Sequence, residues 1–328
     1  MDLGLKYPTA PGSTAKVMSA LAGIKKIGME ATKQNYFIRP IERIEVFNNG
    51  GGEPHGVVSM EKAIVISSNC YFINLVNRLN LYKELSELYK TVGVQCNFNF
   101  MFPNGKFNPI LPYSLMYPER KKESVEWNNL FEQNAVSAIN KFDEYINKKK
   151  YRKINDAEWQ LAWGQGLIVA TPLAMCRVAS VVARNGQMPI TNYVIADKLE
   201  KKEMGYSIYE SPYIQYIDKT NESAVSVLSS YMVKQAQKYE IGKFYKNKIG
   251  GKTGTPERII YKNGKKRKLN DGWYICYIRD CKINGYNHDI AIAVRMERLY
   301  SGLSGRAMAL VKDVILPQLA KYNYIQYK

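Results

Sequence analysis

Histidine is nearly absent from this sequence; His55 and His288 are the only two, and they lie far apart. Cysteine is sparse and scattered, at Cys70, Cys96, Cys176, Cys276 and Cys281, with no Cys-x-x-Cys spacing. These shortages argue against a zinc site, and the odd cysteine count argues against a disulfide framework. We read the thiols as small apolar fillers and expect neither metal nor cofactor. No uninterrupted apolar run reaches about 18 residues, so no segment reads as a membrane-spanning helix. The longest candidate, LIVATPLAMCRVASVVA, contains Pro172 and Arg177 and reads as an amphipathic helix after a turn. The first residues lack the charged start, apolar middle and small-residue cleavage site of a signal peptide. If the protein works outside the cytoplasm, its export signal is expected outside this sequence.

Acidic residues are short too: 29 Asp and Glu stand against 47 Lys and Arg, a net charge of +18. Such a surface attracts polyanions, whether nucleic acid, anionic lipid or phosphate-bearing substrates. The basic runs are RKK at 120–122, KKKYRK at 148–153 and KNGKKRK at 262–268. Lys, Asn, Ile and Tyr are abundant together, as in AT-rich coding sequence, which accounts for part of the charge. No zinc finger, aromatic RNA-binding signature or basic zipper accompanies it, so nucleic acid is not the expected partner.

What is present is ordinary core material: 46% of 328 residues are apolar, enough for one large domain spanning 1–328. The spacing predicts helices over 13–28, 60–80 (broken near Ser67-Ser68-Asn69), 127–146, Thr171 to about Asn185, 223–240 and 304–320. Residues 30–58 read as irregular, with a Gly-rich turn at NNGGGEPHG. Residues 97–160, polar and dotted with Pro103, Pro109, Pro112 and Pro118, stand apart as an insert. The last quarter changes character. YKNKIGGKTGT, DGWYICYIR and HDIAIAVRME are strand-like runs between turn residues, as in an antiparallel meander. Ile290–Val294 is apolar without alternation, which predicts a strand covered on both faces. The expected fold is α/β: an antiparallel sheet flanked by helices, with a helical lobe.

One short stretch suggests chemistry. In PGSTAK, Ser13 and Lys16 stand three apart after a Pro-Gly break. The plain reading is capping, with Ser13 or Thr14 accepting from a free N–H of the first turn. The spacing decides nothing alone, because Ser59 and Lys62 repeat it. Two further motifs occur once each: Ser67-Ser68-Asn69 at a helix end, and Lys252-Thr253-Gly254-Thr255 in the first strand of the meander. Each is weak alone; three in this order are not a coincidence of composition.

Here the sequence resembles the penicillin-binding serine acyltransferases, a family that includes the serine β-lactamases. Ser-x-x-Lys, Ser-x-Asn and Lys-Thr-Gly in this order are that family's signature. The likeness is widest to the class B transpeptidase domains, through PGSTAK, HGVVSMEKAIVISSNCYF, WGQGLIVATPLAM, GGKTGT, DGWYICYI and IAIAV. It implies Ser13 as nucleophile and Lys16 as its base. It implies Ser67 as a proton relay to the leaving amine and Asn69 as a holder of Lys16. Lys252, Thr253 and Thr255 would bind the substrate carboxylate, and Gly254 would let the peptide lie close to the strand. The backbone N–H groups of Ser13 and Thr255 would form the oxyanion hole.

The implied activity is D,D-transpeptidation of peptidoglycan stem peptides ending in D-Ala-D-Ala. Hydrolytic relatives (a carboxypeptidase or β-lactamase) and a non-catalytic penicillin-binding scaffold or sensor are the alternatives. Implied partners are β-lactams, a glycan polymerase with other cell-wall synthesis proteins, and an anionic membrane surface. The implied location is the outer face of the bacterial cytoplasmic membrane. Ser13 stands almost at the front, where the family has strands and an anchor before it. We therefore expect the domain to be N-terminally incomplete here, with a sheet edge left open at 289–297. Ser59 and Lys62 do not compete for the nucleophile role, since they lie within the approach to Ser67.

Overall fold

A computed structural model describes residues 9–36, 55–89, 91–92, 98–101, 107–110, 115–116, 161–165, 168–189, 214–216, 219–241, 248–262, 264–283, 285–299 and 303–325. The expected helix 127–146, the turn at 48–54, Cys96 and most of the insert lie outside the described residues. The chain is α/β, with an antiparallel sheet packed between helices.

Four strands form the sheet: β1 (Ile249–Gly254), β2 (Glu257–Lys262), β3 (Lys265–Ile283) and β4 (Tyr286–Leu299). The long β3 is its spine. β4 pairs along one side of it, with Trp273 opposite Arg295 and Ile278 opposite Ile290. β1 and β2 share the other side end to end, with Gly254 opposite Trp273 and Glu257 opposite Asn270. The ladder lapses between them at Thr255-Pro256. Proline has no N–H to give, and this edge position tolerates it. The Pro256 carbonyl still accepts from Asp271 N at 3.1 Å.

Both faces of the sheet are covered. Trp273, Ile275 and Tyr277 of β3 point into the larger core, while Tyr274, Cys276 and Ile278 point into the smaller one. β4 divides likewise, with Ala291 and Ala293 against the first core and Ile290, Ile292, Val294 and Met296 against the second. The lack of alternation in this strand thus has the expected cause. Among the described residues no strand pairs with the outer side of β4.

The larger core holds α1 (Lys16–Ile27), α2 (Glu30–Lys33), α3 (Met60–Ile66), α4 (Asn69–Leu79), α5 (Tyr82–Tyr89), α6 (Pro172–Ala183) and α7 (Glu222–Lys238). Helix α1 is buried from Lys16 to Ile24, so its apolar residues need no polar face until Lys25 and Lys26. These two reach Glu87 and Glu84 of α5. The smaller core is closed by α8 (Leu303–Leu310), a π-helical turn (Val311–Ile315) and α9 (Leu316–Lys321), in place of one unbroken helix. Among the described residues no helix is long and apolar enough to cross a membrane.

Two local expectations are corrected. Ser13 and Thr14 do not cap a helix. Gly12–Ala15 is a 3-10 turn with no side-chain cap, and Thr14 Oγ1 donates backward to Pro11 O at 2.7 Å. The basic stretch, which lies outside the expected strand-like runs, also holds a strand: Lys265–Lys268 is exposed and paired with β2, with Lys265 opposite Lys262. Backbone pairing forms this strand without any buried apolar face, which is why its sequence carries no period-two signal.

Candidate active site

The site is built where three elements meet. The first is the turn before α1. Gly12 takes φ +57 and donates its N–H to Gly164 O at 2.8 Å. Gly164, at φ +79, leaves no room behind it; a Cβ there would sit 2.1 Å from Gly12 O. The Trp163–Gly164 turn therefore presses directly on the residue before Ser13. It leaves Ser13 partly exposed while Thr14, Ala15 and Lys16 are buried.

The second element is the break between α3 and α4. Ser59 caps α3 by accepting from Lys62 N at 3.3 Å, so the competing Ser-x-x-Lys pair is a helix start. At the far end Ser67 adopts the left-handed conformation, φ 61 and ψ 46, and Ser68 caps α4 by accepting from Tyr71 N at 3.2 Å. The middle serine of the motif is thus structural. Its neighbours Ser67 and Asn69 face Lys16.

Lys16 Nζ lies 2.6 Å from Ser67 O, 2.6 Å from Asn69 Oδ1, 2.9 Å from Ser13 Oγ and 3.1 Å from Ser67 Oγ. The first two oxygens only accept, so they take two N–H bonds of the amine. The two hydroxyls can donate as well as accept. A neutral Lys16 amine therefore uses its two N–H bonds on the two accept-only oxygens and keeps its lone pair for the Ser13 hydroxyl, while Ser67 Oγ accepts from Lys252. Burial drives its pKa well below 10.5, and the Lys252 charge adds to this.

The third element is the end of β1. Lys252 Nζ donates to Ser67 Oγ at 2.9 Å and to Thr253 O at 3.0 Å. Burial first, then the Lys238 charge, lowers its pKa to about 7. Ser67 Oγ thus sits between two buried amines. Thr253 is nearly buried, and its Oγ1 accepts from Gln235 Nε2 of α7 at 3.1 Å. Gly254 has a part that the sequence did not suggest. A Cβ there would meet Pro11 O at 2.8 Å and Thr14 Cγ2 at 2.9 Å, so its bareness admits the Ser13 turn itself. Thr255 N lies 3.2 Å from where a Gly12 Cβ would stand, which sets Thr255 beside Gly12 at the same junction. All eight candidate residues meet here: Ser13, Lys16, Ser67, Asn69, Lys252, Thr253, Gly254 and Thr255. Among the described residues no group of His, Cys, Asp and Glu is arranged to hold a metal.

The model of the penicillin binding protein transpeptidase domain matches residues 3–298. The chain belongs to this family.

Solved transpeptidases share the fold at low identity. Pseudomonas aeruginosa PBP2 is 21% identical with a TM-score of 0.63; the match covers 99% of this chain and 62% of that one. A peptidoglycan synthetase from Bifidobacterium adolescentis is 14% identical with a TM-score of 0.61, over 99% of this chain and 50% of that one. Penicillin-binding protein A from Mycobacterium tuberculosis, solved as a ceftriaxone acyl-enzyme complex, is 17% identical with a TM-score of 0.60, over 99% and 63%. This chain therefore spans between half and two thirds of the length of these structures. No curated protein matches it.

Three parts of this transpeptidase site escaped the sequence reading. Gln235 stands 18 residues before Thr253 on another element, with no motif to mark it. Gly164 was visible as a turn, but not as the support of Gly12. His55 leaned on no pattern at all. It is half-buried, and partial burial together with the Lys16, Lys62 and Lys238 charges lowers its pKa.

Proposed function

We propose that this chain is the acyl-transferring domain of a D,D-transpeptidase, with Ser13 as nucleophile. The supporting observation is Lys16: a fully buried amine, 2.9 Å from Ser13 Oγ, with its charged form disfavoured. A serine hydroxyl needs such a base to attack at neutral pH. Lys16 takes the Ser13 proton as Oγ attacks the carbonyl carbon of the penultimate residue of a stem peptide. The backbone N–H groups of Ser13 and Thr255 stabilise the tetrahedral oxyanion. Ser67, in reach of both lysines, passes a proton to the departing D-Ala amine as the C–N bond breaks. An acceptor amine of a second stem then gives up its proton by the reverse route, attacks the ester carbonyl and frees Ser13. The substrate's terminal carboxylate faces Lys252, Thr253 and Thr255.

The acyl-enzymes of Mycobacterium tuberculosis penicillin-binding protein A with ceftriaxone and imipenem support the same covalent chemistry with β-lactams. A site on the outer face of the cytoplasmic membrane is where stem peptides are cross-linked, and it fits the +18 charge and the exposed Lys265–Lys268 arm. Partnership with a glycan polymerase follows from the same reading, since cross-linking acts on freshly made strands.

A fluorescent penicillin followed by a D-Ala-D-Ala peptide assay tests the proposal. A long-lived adduct, with amine outcompeting water as acyl acceptor, is the expected result. Rapid hydrolysis of the adduct would instead make the chain a β-lactamase or carboxypeptidase, and absence of any adduct would make it a scaffold.

A further inference from the structure

Thr253 lies at the end of β1 with both of its oxygens engaged from within the protein. Its carbonyl accepts from Lys252 Nζ at 3.0 Å. Its hydroxyl accepts from Gln235 Nε2 at 3.1 Å. Gln235 projects from α7 and is 0% exposed, while Thr253 keeps 8% of its surface. The other atom of the amide, Gln235 Oε1, is buried with no hydrogen-bond partner among the described residues. A leucine of similar size would avoid that desolvation cost. The buried amide is thus poorly explained by packing, and among the described residues its one polar contact is Thr253.

The direction of that contact has a chemical consequence. A threonine hydroxyl carries one proton and two lone pairs. A carboxylate only accepts, so a hydroxyl that binds one must donate. A donor behind Thr253 occupies a lone pair and leaves the proton to point elsewhere. It also polarises the O–H bond, strengthening it as a donor. We propose that Gln235 is a positioning residue that commits the Thr253 hydroxyl to donating, and so tunes the site for a carboxylate over its uncharged counterpart. The inference rests on the acyl-transfer reading of the site and deepens it.

The test compares acylation by benzylpenicillin with acylation by its methyl ester, which has the same reactive ring and no carboxylate. Rates are measured for wild type, Gln235→Leu, Gln235→Glu and Thr253→Val. Losing one oriented hydrogen bond to a charged acceptor lowers the acid-to-ester rate ratio by roughly 3–10-fold in Gln235→Leu. Gln235→Glu, where the new carboxylate takes the hydroxyl proton, lowers it further. In a Thr253→Val background, Gln235→Leu makes no further change to the ratio, because the two residues act as one unit. If Gln235→Leu does not fold, Gln235→Glu is compared in the wild-type and Thr253→Val backgrounds, because repulsion by the new charge lowers the ratio equally in both while loss of the oriented hydroxyl lowers it only where Thr253 is present. Equal proportional loss for acid and ester, or an unchanged ratio, overturns the inference. A wild-type protein that neither reagent acylates overturns the acyl-transfer reading instead.

Discussion

Replacing Lys252 with methionine tests the electrostatics of the site through stability. The side chain is fully buried, and its pKa falls from 10.5 to about 7. In the unfolded chain Lys252 keeps its proton up to about pH 10.5; in the folded chain it releases it near 7. Between those values the unfolded state binds more protons, so wild-type stability rises with pH. Below about pH 7 the folded state bears the full cost of a buried ammonium. At about 1.4 kcal/mol for each pH unit separating the two values, that cost is roughly 5 kcal/mol. Methionine fills similar space without charge and carries none of it. The stability of Lys252→Met relative to wild type is therefore greatest near pH 6, and declines by roughly 3 kcal/mol on going to about pH 9.5. Lys16, relieved of the neighbouring charge, moves the comparison in the same direction. The buried Tyr274 and Tyr277, whose pKa values are raised above 10, titrate beyond this window and in both proteins. Urea unfolding of the pair at a series of pH values, with m unchanged, reads the difference. A gap that stays constant between pH 6 and 9.5, or widens, would refute the reasoning.

Penicillin acylation of wild type should rise with pH as Lys16 loses its proton, and Lys252→Met should move that limb to higher pH; a flat profile counts against Lys16 as base. Lys16→Ala should acylate roughly 10²–10⁴-fold more slowly. Mass mapping should find the penicillin adduct on the Ser13 peptide and none in Ser13→Ala, while Ser59→Ala labels fully and loses about 1 kcal/mol in denaturation for want of its cap. Gly164→Ala should lower both melting temperature and acylation, because its Cβ would fall 2.1 Å from Gly12 O at a φ of +79; wild-type labelling in that variant would mean the turn does not support Ser13.

The parts of the molecule legible in the sequence are those whose signal is local. Ser13, Lys16, Ser67, Asn69 and Lys252 could be named because three short motifs in this order resemble a family signature; the spacing within any one of them would not have sufficed. β4 could be read as two-sided because its apolar run lacks alternation. The helix start at Thr171 follows from capping chemistry, and Thr171 Oγ1 accepts from Ala174 N at 3.2 Å. What was hidden is relational. Pro-Gly-Ser looks the same ahead of a capped helix and ahead of a 3-10 turn; the neighbouring Gly164 decides, from 152 positions away. Gln235 looks like any polar residue of a helix until α7 is laid on β1. Gly254 signalled close approach as a bare strand position, but that the chain's own Ser13 turn approaches it shows only once β1 meets that turn.

Ser67 stands where folding and chemistry pull apart. Its left-handed backbone ends α3 in the way glycine does best, and a residue with a Cβ costs about 1 kcal/mol more there. That same backbone turns its carbonyl and its hydroxyl together onto Lys16, with the hydroxyl also on Lys252. Glycine would preserve the helix stop and the carbonyl contact, relax the strain and erase the hydroxyl. On the proposed acyl-transfer reading, that exchange gives a better-folded protein with its proton path cut. The serine at this position then trades fold stability for a hydroxyl placed between two amines.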